Sequence, residues 1–357
     1  MSKRLRNLLG LVGRKPAVGQ TPADVMHREN KWRLLRYRGG GPRRGSPILL
    51  VPSLINRHYI LDLQPGRSFA EWLLGQGHDV WIIDWGTPGP EDRWLTFDDV
   101  CDGYLGRAVR AVGRHGGGRA HLLGYCLGGT LAAIHTSAHP ERVASLTCMA
   151  APIDFHDDGL LSRWTRTRSF DVGALIDAFG NVPWPLMQAS FHMLRPTMNL
   201  AKLVRLLDRA WDDEFLDSFL ATETWGADNV SFPGECYRRY IEELYRDNAL
   251  VAGRFTLSGR PAQLSAIDCP VQVVSFEHDH IVPAPSATAL LDQVSSSRAD
   301  HLHLQGGHIG AVVSRTAART LWPALSRFWL ELDGLTKPVH PERSRAEGPA
   351  KSKGTRA

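Results

Sequence analysis

Six short apolar runs are spaced along the chain, and they are near-continuous rather than alternating polar with apolar. They are Ser46–Ile55 (SPILLVPSLI), Asp79–Trp85 (DVWIIDW), Ala120–Cys126 (AHLLGYC), Ser145–Ala151 (SLTCMAA), Val271–Phe276 (VQVVSF) and His301–Leu304. Strands apolar on both faces must be covered on both faces, the condition of a parallel sheet between two helical layers. The stretches between them carry amphipathic helical patterns: Ser68–Gly75, Phe97–Arg114, Leu127–His139, Ser286–Val294 and Arg315–Leu332. Strand–helix alternation with right-handed crossovers predicts a doubly wound, mostly parallel α/β sheet. The alternation stops between Ile153 and Gly253, where helical patterns rich in aromatics replace strand runs. Inserted between two strands, that segment would lie over the carboxyl edge of the sheet, where open α/β sheets hold their sites. It is read as a helical cap over residues 153–253, on a core formed by 45–152 and 254–335.

Composition narrows the function classes. At 357 residues, with 43% hydrophobic and 22% charged residues, the chain is a globular protein and not a coiled coil or a disordered chain. No eighteen-residue apolar window predicts a membrane-spanning helix, and the N-terminus lacks the apolar core of a secretory signal. Five cysteines without a C-x-x-C spacing indicate neither a disulfide framework nor a zinc finger, and fit a reducing cytoplasm. The net charge of +5 is uneven. Residues 1–44 hold twelve Lys/Arg against two Asp/Glu, residues 337–357 hold six against two, and the body is left acidic. The basic N-terminal segment, 1–44, is expected to meet something anionic, such as a partner subunit or a lipid-coated surface. Residues 336–357 read as a disordered basic tail. The acidic body argues against nucleic-acid binding. No metal constellation and no nucleotide-binding glycine loop stands out, so neither a metal nor a bound cofactor is expected.

The chemistry concentrates at Gly124-Tyr125-Cys126-Leu127-Gly128, followed by Gly129. This G-x-C-x-G lies directly after an apolar strand and directly before a small-residue helix, the context of a nucleophile elbow. A thiol at a helix N-terminus is favoured as thiolate by the macrodipole. Elbow enzymes follow the chain order nucleophile, acid, histidine. Asp279, in F-E-H-D-H-I-V-P, and His308, in L-Q-G-G-H-I-G, each follow a strand run in that order. Cys126, Asp279 and His308 are therefore the expected catalytic set. His278 and His280 read as satisfied loop histidines, and Cys101, Cys148, Cys236 and Cys269 as structural. Acyl chemistry also needs an oxyanion hole. The expected donors are the N–H of Leu127, next to the nucleophile, and that of Ile55, in the loop after the first run.

These residues lie within blocks that resemble the polyhydroxyalkanoate synthases. The blocks are V-P-S-L-I-N-R-H-Y-I-L-D-L-Q-P-G-R-S (51–68), V-W-I-I-D-W-G (80–86) and G-Y-C-L-G-G (124–129), the last being that family's lipase box with Cys in place of Ser. F-P-G-E-C-Y-R-R-Y-I-E-E-L-Y-R-D-N-A-L-V-A-G (232–253), E-H-D-H-I-V-P (277–283) and G-G-H-I-G (306–310) complete the set. Residues 1–44 and 333–357 fall outside it. The resemblance implies an α/β-hydrolase fold with a helical cap. It also implies an acyltransferase that polymerises 3-hydroxyacyl-CoA into polyester, the growing chain on Cys126, His308 as base and Asp279 needed for elongation. Coenzyme A would enter as part of the substrate. The short chain resembles the two-component type, which works with a second, smaller subunit. A homodimer and a place on the surface of cytoplasmic polymer granules belong to the same expectation. The rival reading is a Cys-dependent hydrolase on the same scaffold: an acyl-CoA thioesterase, a polyester depolymerase or a dienelactone hydrolase-like enzyme. An elbow with its triad does not by itself separate transfer from hydrolysis.

Overall fold

The computed structural model describes residues 3–335 apart from 12, 40, 168 and 195–197, so the expected tail at 336–357 lies outside the described residues. Among the described residues there are ten strands: β1 (Ala23–Glu29), β2 (Trp32–Tyr37), β3 (Ile48–Val51), β4 (Val80–Asp84), β5 (Ala120–Tyr125), β6 (Val143–Met149), β7 (Thr256–Leu257), β8 (Arg260–Pro261), β9 (Val271–Phe276) and β10 (Ala299–Leu304). Eight of them form one sheet in the order β1-β2-β4-β3-β5-β6-β9-β10, while β7 and β8 form a separate small hairpin. From β4 to β10 all pairings are parallel, and β2 joins β4 antiparallel.

The apolar runs explain this order. Every residue of β3, β4, β5 and β9 is buried. Alternate residues feed two separate cores: Leu49 and Val51 pack on one face, Ile48 and Leu50 on the other. Each fully buried Leu or Ile contributes about 1.5–3 kcal/mol. Helices Leu105–Gly113 and Leu127–Ala138 cover the first face, and helices Phe69–Gly75 and Leu321–Leu332 the second.

Four expectations are corrected. The sheet starts before residue 45, because β1 and β2 extend it antiparallel from within the basic segment. The last run is not a buried strand: β10 is an edge strand that alternates exposed with half-buried residues. The helix expected over Arg315–Leu332 is two, Arg315–Arg319 and Leu321–Leu332. Pro323 has no N–H to donate and clashes with a preceding turn, so the chain restarts with Pro323 in a first turn. Over Ser286–Val294 the helix is short, Ala284–Thr288, and gives way to turns.

Between β6 and β7 run helices Leu160–Thr165, Val172–Phe179, Trp184–Met193, Met198–Asp208, Asp213–Ala227 and Gly234–Arg239, the last continuing as a π-helical stretch, Tyr240–Arg246. The basic N-terminal segment finds an anionic surface within this chain. Lys3 pairs with Asp213 at 2.9 Å, Asn7 Nδ2 donates to Asp213 at 2.8 Å, and Arg14 pairs with Asp217. Such exposed pairs are worth about 0–1 kcal/mol each, so they orient the segment more than they stabilise the fold.

Candidate active site

The turn after β5 is built by what its glycines lack. A Cβ on Gly124 would fall 2.3 Å from the Gly129 Cα, and one on Gly129 would fall 2.4 Å from the Ala151 Cβ. A Cβ on Gly128 would come 2.0 Å from the Val51 carbonyl oxygen and 2.5 Å from that of Pro52. These neighbours are mostly backbone and cannot yield. Between the glycines Cys126 takes φ 55°, ψ −132°, a left-handed position that costs about 1–3 kcal/mol in a residue with a Cβ. The strain lifts the thiol out of the strand at the start of helix Leu127–Ala138. Cys126 is half-buried, whereas the other four cysteines are buried. Gly128→Ala is expected to destabilise the protein by about 3 kcal/mol or more. Urea unfolding measures this, and an unchanged midpoint would show that the β3 end and the elbow are not in contact.

The register places the partners. Val51 of β3 pairs with Gly124, so the loop after β3 lies beside the elbow. Asp279 follows β9 and His308 follows β10, at the same carboxyl edge as Cys126. His308 Nδ1 and Asp279 Oδ2 are 2.7 Å apart, with both side chains buried. The other carboxylate oxygen of Asp279 accepts the N–H groups of Ile281 and Val282, each at 2.9 Å. The acid is thus locked on both oxygens. Burial works against a charged His308, but the Asp279 carboxylate and then Cys126, by charge and by a side-chain hydrogen bond, outweigh it and push the imidazole pKa up to about 10. The structure therefore brings Cys126, His308 and Asp279 into one chain of contacts, thiol to imidazole to carboxylate.

Cys126 and His308 line a cavity of about 380 Å³. Its far walls come from the inserted helices: Gln188, Phe191 and His192 from one, Lys202 from the next, and Thr222, Glu223 and Trp225 from a third. Trp225 is tied down by donating its indole N–H to the Arg57 carbonyl at 2.9 Å, and Lys202 pairs with Glu223 at 2.7 Å. His278 and His280 are exposed and line the cavity, so they are wall residues rather than satisfied loop histidines.

Leu127 opens the helix, so its N–H is one of the four that have no acceptor within the helix. Ile55 lies in the loop beside the elbow, but it is buried with its carbonyl taken by the Val230 N–H at 3.3 Å, and its neighbour Asn56 is the residue that lines the cavity. Sequence reasoning missed Tyr125. Its hydroxyl donates to the His308 carbonyl at 2.9 Å, and its ring stacks on the imidazole at 5.2 Å. The signal was its place between Gly124 and Cys126.

The model of the alpha/beta hydrolase fold matches residues 46–313, and that of the poly-beta-hydroxybutyrate polymerase (PhaC) N-terminus matches residues 11–73. The second match corrects the reading that left residues 1–44 outside the resemblance. The chain is 38% identical over 319 residues to the poly(3-hydroxyalkanoate) polymerase subunit PhaC of Haloferax mediterranei, covering 88% of this chain and 65% of that one. With the subunit of the same description from Allochromatium vinosum it shares 36% identity over 318 residues, 87% of this chain and 89% of that one. Among solved structures, a putative non-heme bromoperoxidase, BpoC, from Mycobacterium tuberculosis superposes with a TM-score of 0.53 at 15% identity, over 87% of this chain and 99% of that one, a likeness of fold alone. On this fold, and with these relatives, the chain belongs to the poly(3-hydroxyalkanoate) polymerase subunit PhaC family.

Proposed function

We propose that this chain polymerises 3-hydroxyacyl groups from coenzyme A into a polyester through a thioester on Cys126. The observation that carries the reading is Cys126 at a strained elbow, coupled to a His308 that Asp279 holds, at the wall of a cavity. In the first step the Cys126 sulfur, its proton already resting on His308, attacks the thioester carbonyl. The N–H of Leu127 and a backbone N–H of the loop after β3, where Asn56 lines the cavity, stabilise the oxyanion. The C–S bond to coenzyme A then breaks, and the departing sulfur takes the proton from His308. One thioester replaces another, so the acyl group stays activated. In the second step His308 removes a proton from the hydroxyl of a hydroxyacyl unit, whose oxygen attacks the Cys126-bound acyl carbonyl; the C–S bond to Cys126 then breaks, the polyester gains one ester bond, and the Cys126 sulfur is freed beside the protonated His308. Asp279 keeps the imidazole oriented and charge-compensated in both steps.

The inserted helices act as the cap. Their aromatic walls keep water from the acyl-enzyme, which otherwise hydrolyses. A second, smaller subunit or a homodimer, and the granule surface in the cytoplasm, complete the proposal. Its support is the match over 89% of a relative that is itself described as a polymerase subunit.

The test is a product balance with 3-hydroxybutyryl-CoA. Released thiol should be accounted for by high-mass polyester. Free 3-hydroxybutyrate in equal amount to the thiol would overturn transfer and establish a hydrolase.

A further inference from the structure

At the far end of the nucleophile's helix, away from the cavity, three ligand-type side chains converge. His135 and His139 stand one turn apart on helix Leu127–Ala138 and its C-cap, and Asp102 comes from the neighbouring π-helical stretch Asp99–Tyr104. Their ligand atoms all lie within 4.8 Å of one another. The two imidazole centroids are 4.9 Å apart, and His139 Nε2 lies 2.8 Å from Asp102 Oδ1.

The decisive group is His135. It is fully buried, and neither of its ring nitrogens makes a well-formed hydrogen bond, the Cys101 carbonyl offering only a poorly aligned one. A buried polar group left this way costs about 1–3 kcal/mol and calls for a partner. Gly106 makes the approach possible: a Cβ there would come 3.2 Å from His135 Cε1 and 3.6 Å from Asp102 Oδ1.

We propose that Asp102, His135 and His139 bind one divalent first-row cation, Zn²⁺ by preference, as a structural strut behind the nucleophile's helix. Two imidazoles and one carboxylate form a set that zinc accepts, at bond lengths of about 2.0–2.2 Å, with a water in the fourth position. On binding, the His139 proton moves from Nε2 to Nδ1. That nitrogen has no hydrogen-bond partner and faces Glu141 Oε1 at 3.9 Å, the carboxylate that steadies a ligating imidazole. Arg142 and Arg110 border the cluster, so the negative charge of Asp102 is required to offset them. Cys126 is about 14 Å away along the helix, too far for the ion to touch the reacting sulfur. The sequence reading, which expected no metal, overlooked the i, i+4 spacing of these histidines because their third partner comes from another element.

The experiment uses the full chain with Cys126 blocked by iodoacetamide, stripped with a chelator and dialysed against Zn²⁺ or Co²⁺. One equivalent of Zn²⁺ should bind and raise Tm by about 3 °C at 100 times Kd. His139→Ala and Asp102→Asn should each weaken binding at least about tenfold. His135→Leu, which suits an apolar site, should abolish it while leaving the circular dichroism unchanged. The Co²⁺ form should show weak d–d absorption that is lost in His139→Ala. Equal Zn²⁺ binding by wild type and the variants, no binding by the wild type, or a thiolate charge-transfer band with Co²⁺ would overturn the proposal.

Discussion

Cys126→Ala is expected to reduce coenzyme A release from 3-hydroxybutyryl-CoA to background, a loss of about 10⁴-fold or more. No other described thiol can take over. Cys101, Cys148, Cys236 and Cys269 are buried, and burial pushes each of these thiols up, away from the reactive thiolate. The variant should fold normally. Alanine meets the same left-handed backbone at position 126 that cysteine does, and loses only the sulfur that approaches His308. Circular dichroism and urea unfolding check the fold, and a thiol-release assay checks the rate. A folded variant that keeps a hundredth of the wild-type rate would rule out the covalent route.

The second large effect concerns the base and its acid. His308→Ala should cost about 10²–10⁴-fold in thiol release, the usual worth of a positioned general base. Asp279→Asn should also change how stability depends on pH. In the wild type burial opposes protonation of His308, but Asp279, first among the groups that favour it, raises the pKa to about 10. A raised folded-state pKa adds stability that is fully present below the ordinary imidazole value, about 6.5, and is lost as pH rises through the folded value. In Asp279→Asn the carboxylate's contribution is lost and the pKa falls. The stability gap between wild type and variant should therefore be widest below about pH 6.5 and narrow towards pH 10. Urea unfolding at pH 6, 8 and 10 measures it. A gap that does not change with pH would mean that Asp279 does not hold the charge on His308.

How much was legible follows from what each feature depends on. Strands buried on both faces announce themselves, so the runs at β3, β4, β5, β6 and β9 were readable from residue type alone. β2 was not, although four of its six residues are buried, because Arg33 and Arg36 interrupt the run. Those arginines are tolerated because Arg33 pairs with Asp84 and Arg36 with Asp79, partners far along the chain. The elbow was legible because its chemistry and its backbone constraint fall within six consecutive residues. The stacking of Tyr125 on His308 and the meeting of Asp102 with His135 join residues 183 and 33 positions apart, which no local pattern reports. Ile55 shows the middle case. The adjacent strand ends fix the right loop, whereas which residue reaches the cavity depends on the turn that follows.

The most direct test of the account is to quench the full-length protein with acid within its first turnovers on 3-hydroxybutyryl-CoA and to weigh the intact chain and its peptides. The account predicts an added 3-hydroxybutyryl group, or a short oligomer of it, on the peptide that carries Cys126, removable by hydroxylamine and absent from Cys126→Ala. An unmodified Cys126 in a preparation that is turning substrate over, or an acyl group on another residue, would contradict it.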